Sequence, residues 1–172
     1  MFSLPVRIFI VVTAAAYGVY KLADGEQSGY MLLAAAGIFA LGYFRYGPIR
    51  PAYMAMRRGD LDAASKHIET IQFPRLLSAE SRAYLHWVNG VIAAEFSENL
   101  PYAEEQIRLA ISGRLRFSND RCIATATLAR IVANNNDVEA AMQILEQAEQ
   151  IPHRDNATAY LNELRSEFEK AR

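Results

Sequence analysis

The sequence predicts an all-α protein in two parts. An N-terminal hairpin of apolar helices comes first, followed by a short α-solenoid of helix–turn–helix units closed by a C-terminal capping helix. Three observations predict it. Residues 1–44 carry only Arg7, Lys21, Asp24 and Glu26 as charges. From Asp60 onward apolar residues recur at helical spacing, and no stretch alternates as a strand would. Within that second half, three segments repeat at 38–39 residues, the mark of a stacked-repeat architecture.

The front contains two apolar segments, at about 6–22 and 28–46, joined by an acidic loop at 23–27. Each approaches the length a transmembrane helix needs. Arg7 and Lys21 stand at the ends of the first, where they would snorkel. Tyr17 and Tyr20, then Tyr30, Tyr43, Phe44 and Tyr46, sit where aromatic belts form. Ala14, Ala15, Ala16 and Gly18 on one segment and Ala34, Ala35, Ala36, Gly37 and Gly42 on the other suit close helix packing. A cleaved signal peptide accounts for the first run and not the second. A buried helical pair remains an alternative. Arg45, Arg50, Arg57 and Arg58 follow the second segment, so the positive-inside rule predicts a multi-pass inner-membrane protein with both termini and the repeat domain cytoplasmic.

The basic junction 47–59 holds Gly47, Pro48 and Pro51, which break helices, and a short first repeat helix, Pro51–Arg58. The repeats fill 60–154. Aligned, 61–71, 100–110 and 138–148 share four columns: Leu61/Leu100/Val138, Ala64/Ala103/Ala141, Ile68/Ile107/Leu145 and Ile71/Ala110/Ala148. These positions make one helix face, and the small second column lets a neighbouring helix approach. Gly59-Asp60, Glu98-Asn99 and Asn135-Asn136-Asp137 precede the three helices as capping signals, with Asn136 and Glu139 at capping-box spacing. Another apolar helix precedes each: 51–58, 79–96 and 120–134. In the tail, 155–172, Ala157, Tyr160, Leu161, Leu164 and Phe168 form one stripe against a charged face, as a capping helix requires.

Residues 51–152 resemble the tetratricopeptide repeat family, whose unit is a helix–turn–helix with small and large apolar residues at fixed places. The resemblance rests on Leu128, Ala129, Val132, Ala141, Leu145, Ala148 and Pro152 in the third unit. In the second it rests on Trp87, Gly90, Ala103, Ile107 and Ala110. The spacing is longer than the family's, the extra residues lying in the connections between units. The resemblance implies a groove lined by the first helix of each unit, holding a peptide or a partner's helix. Carried over, the lining is Leu85, Val88, Asn89, Ile92, Phe96, Ile123, Ala126 and Arg130. The family's clamp for a C-terminal carboxylate needs lysines in these helices, and there are none.

No catalytic constellation stands out. His67, His86 and His153 fall on different units, with no metal-ligand spacing. Phosphate loops and nucleophile elbows are absent from the sequence. Ser97, Ser112 and Ser118 read as helix-end residues, and Glu104 and Glu105 open a helix whose dipole favours acids. Cys122, the single cysteine, reads as a small buried hydrophobe and indicates no disulfide framework. The net charge of −1 argues against a nucleic-acid partner. Fifteen of the 18 basic residues are arginine, the side chain that forks onto carboxylates. The expectation is a membrane-anchored, non-catalytic interaction or scaffold protein. Its partners would be other proteins and the lipid bilayer, without cofactor, metal or small-molecule substrate. The alternative is a small subunit of a transport or secretion complex whose hairpin carries the essential contacts.

Overall fold

The computed structural model describes residues 4–46, 49–96 and 99–172. Gly47, Pro48, Ser97 and Glu98 lie outside the described residues, as do the side chains of Arg7 and of 43–46, including Arg45. The described residues form nine α-helices and one 3-10 turn, Pro74–Leu76, and no strand. The chain divides into two units, Met1–Gly47 and Pro48–Arg172.

The first unit is the helical hairpin α1 (Leu4–Ala23) and α2 (Ser28–Tyr46). Its turn is closed by Gly25 at φ 80° and by a Lys21–Glu26 ion pair at 2.7 Å. The helices cross at Gly18 and Gly29. A Cβ on Gly29 would meet the Gly18 carbonyl oxygen at 2.5 Å, so only glycine allows this approach. Phe9, Met31, Ile38 and Leu41 are exposed. Among the described residues, however, no helix is long and apolar enough to cross a membrane. This overturns the transmembrane reading of 6–22 and 28–46, and with it the placement as a multi-pass inner-membrane protein. The segments carry little charge, but much of their content is alanine, glycine and tyrosine, which are only weakly apolar. Low charge is not the same as high hydrophobicity.

The second unit is a run of helix pairs. The pairs are α3 (Ile49–Met56) with α4 (Leu61–Glu69), α5 (Ala79–Phe96) with α6 (Leu100–Ser112), and α7 (Ser118–Asn134) with α8 (Val138–Glu149). The last helix, α9 (Asp155–Ala171), stands alone. Within each pair the small second column is fully buried: Ala64, Ala103 and Ala141. Ile107 and Leu145 are fully buried beside it, while Ile68 is half-buried. Helix α9 closes the run through Ala157, Leu161, Leu164 and Phe168, and a bidentate Arg165–Glu149 pair ties it to α8.

The turns inside the pairs explain why the chain reverses there. Asp60, Asn99 and Asp137 each accept a hydrogen bond from the backbone N–H three residues on, at 3.0, 3.2 and 3.0 Å. Asp137 is therefore the cap of α8, and the capping box expected from Asn136 and Glu139 does not form. Asn136 instead ends α7 in the left-handed region at φ 63°, as Gly59 ends α3 at φ 77°. At both places two backbone bonds close a Schellman motif: Gly59 N to Met56 O with Asp60 N to Ala55 O, and Asn136 N to Ala133 O with Asp137 N to Val132 O. One residue stops a helix and the next starts its partner. Gly59→Ala should cost about 1–2 kcal/mol, because a Cβ is disfavoured in this conformation. Asn136→Gly should gain up to about 1 kcal/mol for the same reason. Urea-unfolding midpoints of the two variants, moving in opposite directions, check this.

Candidate functional site

The first helices of the pairs, with α9, form one layer. Helix α5 packs against α3 and α7, and α7 against α9, in addition to their hairpin partners. The bonds between them join residues about one repeat apart. Tyr84 Oη donates to Asp120 Oδ2 at 2.6 Å, a separation of 36 in sequence. Arg130 donates to Glu95 at 2.8 Å, a separation of 35. Arg154 N donates to Asn119 Oδ1 at 2.9 Å, also 35 apart. Helices α5, α7 and α9 thus run parallel, held at their starts by one polar bridge each and between α5 and α7 by a second near their ends.

At the start of this layer lies an aromatic cluster around a buried carboxylate. Tyr53 of α3 meets Tyr84 edge-on at 4.7 Å between centroids and Trp87 at 5.5 Å; Tyr84 and Trp87 stack at 6.2 Å. Asp120 is 5% exposed. It sits in the first turn of α7, where the helix dipole favours an anion. Burial raises the pKa of both tyrosines above the usual phenol range, and the Asp120 charge raises them further. Among the described residues Tyr53 Oη and Trp87 Nε1 are buried without a partner at hydrogen-bond geometry, although the Tyr53 hydroxyl lies near enough to Asp120 for the carboxylate to raise its pKa. The Arg57 guanidinium lies 5.9 Å from the Tyr53 ring centroid.

The raised tyrosine pKa values fix a pH dependence. The native state holds the phenols neutral where the unfolded chain would ionise them. Their contribution is therefore complete below about pH 10 and is lost as pH rises above it. Thermal melts between pH 8 and 11 should show a falling midpoint, and Tyr84→Phe should flatten that fall while lowering the midpoint at pH 8.

The residues expected to line a groove divide. Leu85, Val88 and Ala126 are buried in the core. Asn89, Ile92, Ile123 and Arg130 are half-buried, and Phe96 is exposed at the end of α5. Arg130 is engaged by Glu95 across the layer. Sequence reasoning misses Asp120, Tyr84 and Glu95. It places Tyr160 in the α9 stripe, where the residue is half-buried. Burial raises the Tyr160 pKa while Arg130 and Thr127 lower it, which places the ring against α7. The bridging pairs lie 35–36 residues apart, short of the 38–39-residue repeat, so the aligned repeat columns do not point to them. His86 Nδ1 bonds Gln106 Oε1 at 2.8 Å, within its own helix pair. Cys122 is fully buried, and burial raises its thiol pKa, as a small core residue requires. Among the described residues no three His, Cys, Asp or Glu side chains are grouped to hold a metal ion.

No protein-family model, curated protein or solved structure matches this chain.

Proposed function

We propose that the Pro48–Arg172 unit is a non-catalytic protein–protein interaction or scaffold module of tetratricopeptide-like type, whose layer of first helices receives a peptide or a helix of a partner. The observation that supports this reading is the layer itself. Helices α5, α7 and α9 lie parallel and are bridged by Tyr84–Asp120, Glu95–Arg130 and Asn119–Arg154, pairs 35–36 residues apart. A layer fixed in this way presents successive helices at about 8–10 Å intervals, a spacing that an extended segment or a single helix can follow. Asn89, Ile92, Phe96, Ile123 and Arg130 are the parts of the expected lining that a partner could reach.

The test is quantitative co-isolation from cells with the tagged full chain. Phe96→Asp combined with Arg130→Glu is expected to reduce the associated proteins at least fivefold. Glu105→Arg combined with Leu109→Asp, on exposed positions of α6, is expected to leave them unchanged. Loss of partners in the α6 variant alone, or no association above a control chain, would overturn the reading.

A further inference from the structure

The connections between pairs, at 70–78, 113–117 and 150–154, contain no acidic residue and carry Arg75, Arg114, Arg116 and Arg154. All four are exposed, and none is in an ion pair among the described residues. Because α5, α7 and α9 run parallel, these connections lie at the same end of the layer. The bond from Arg154 N to Asn119 Oδ1 ties the third to the start of α7, immediately after the second. Three large apolar side chains stand in these connections: Phe73 is 54% exposed, Leu76 51% and Phe117 55%. Arg116 covers the Phe117 ring at 5.3 Å. The turns inside the first and third pairs, at 57–60 and 135–137, differ in carrying Asp60 and Asp137, with Arg57 and Arg58 in the first.

From this edge we infer a second docking surface, distinct from the helix layer, for an acidic protein segment that alternates carboxylates with apolar side chains. The inference rests on the reading of this unit as a protein-interaction module. Charge complementarity selects the occupant: unpaired guanidinium groups suit carboxylates, which they bind as a fork. The exposed leucine and phenylalanines select apolar side chains between those carboxylates. Neighbouring packed helices stand about 8–10 Å apart and an extended chain advances about 3.3 Å per residue, so roughly seven residues span the three connections. A nucleic acid would use the arginines but leave Leu76 without a role, and the net charge of −1 gives no general field to attract one.

The experiment is panning of a random twelve-residue phage-displayed peptide library on the full chain, followed by fluorescence anisotropy of the enriched peptides. Enriched sequences are expected to be acidic with interspersed Leu, Phe or Tyr. Their affinity should fall at least tenfold for R75E/R116E/R154E and at least threefold for F117S, while R130E changes it less than twofold. Far-UV circular dichroism should show the helical signal of all variants unchanged, since the substituted positions at the edge are exposed. Neutral or basic enriched peptides, affinity indifferent to the triple reversal, or tighter binding of a twelve-nucleotide oligouridine would each overturn the inference. Peptides that lose affinity with R130E alone would overturn it while supporting the helix-layer reading. Failure to enrich any peptide would count against both.

Discussion

Replacing Trp87 with alanine should destabilise the second unit by about 3–5 kcal/mol. Total domain stabilities run to about 5–15 kcal/mol, so this variant is expected to be partly unfolded at 37 °C. Trp87 is 2% exposed and is shared between helices through its packing on Tyr53 and Tyr84. Removing the indole leaves a cavity that the neighbouring helices cannot collapse into, because Tyr84 is pinned to Asp120. Trp87→Phe retains most of the ring volume and abolishes an indole N–H that has no hydrogen-bond partner among the described residues. It should cost less than half as much. Guanidinium unfolding monitored by circular dichroism measures both. Equal losses for Phe and Ala would mean that volume is not what Trp87 supplies.

The second large effect is at Gly90. A Cβ there would sit 2.6 Å from Ile107 Cδ1, 2.7 Å from Ile107 Cγ1 and 3.1 Å from the Ala103 carbonyl oxygen. Ile107 is fully buried and has nowhere to turn. Gly90→Leu should therefore force α5 and α6 apart at a cost of about 3 kcal/mol or more, the upper end for overpacked cores. Gly90→Ala is milder, since the clash is offset by about 1 kcal/mol of helix propensity. The mechanism can be isolated by a double-mutant cycle. In an Ile107→Ala background, Gly90→Ala should be neutral or stabilising, with a coupling energy of about 1–3 kcal/mol. Additive losses would show that the contact with Ile107 is not the cause.

Local signals are the most legible in this sequence. The caps at Asp60, Asn99 and Asp137 can be read directly, because a cap depends on a few consecutive residues. The small column Ala64, Ala103, Ala141 is equally plain, because α4, α6 and α8 each have one buried face and one exposed face, which a periodic pattern records. The first helices are harder. In α7 every residue from Ala124 to Ala129 is buried, so no stripe distinguishes the side that faces a neighbour from the side open to a partner. The tetratricopeptide resemblance assigns Leu85, Val88 and Ala126 to a groove, and the fold buries all three. The two-residue junctions also hide a detail. Asn136 and Asp137 both read as caps, and only backbone geometry separates the residue that stops α7 from the one that starts α8. In the hairpin, scarcity of charge imitates membrane character, and the finding that no described helix is long and apolar enough to cross a bilayer corrects it.

On the proposed function, the helical unit works by presenting its first-helix layer and the adjoining arginine-rich edge to other proteins. The most direct measurement is site-specific photocrosslinking in cells, with benzoylphenylalanine placed singly at Asn89 and Phe96 of the layer, Leu76 and Phe117 of the edge, and Glu105 and Leu109 of α6. Discrete crosslinked protein species are expected from the layer and edge positions and not from α6. Crosslinks confined to Glu105 and Leu109, or the same smear from every position, would contradict it.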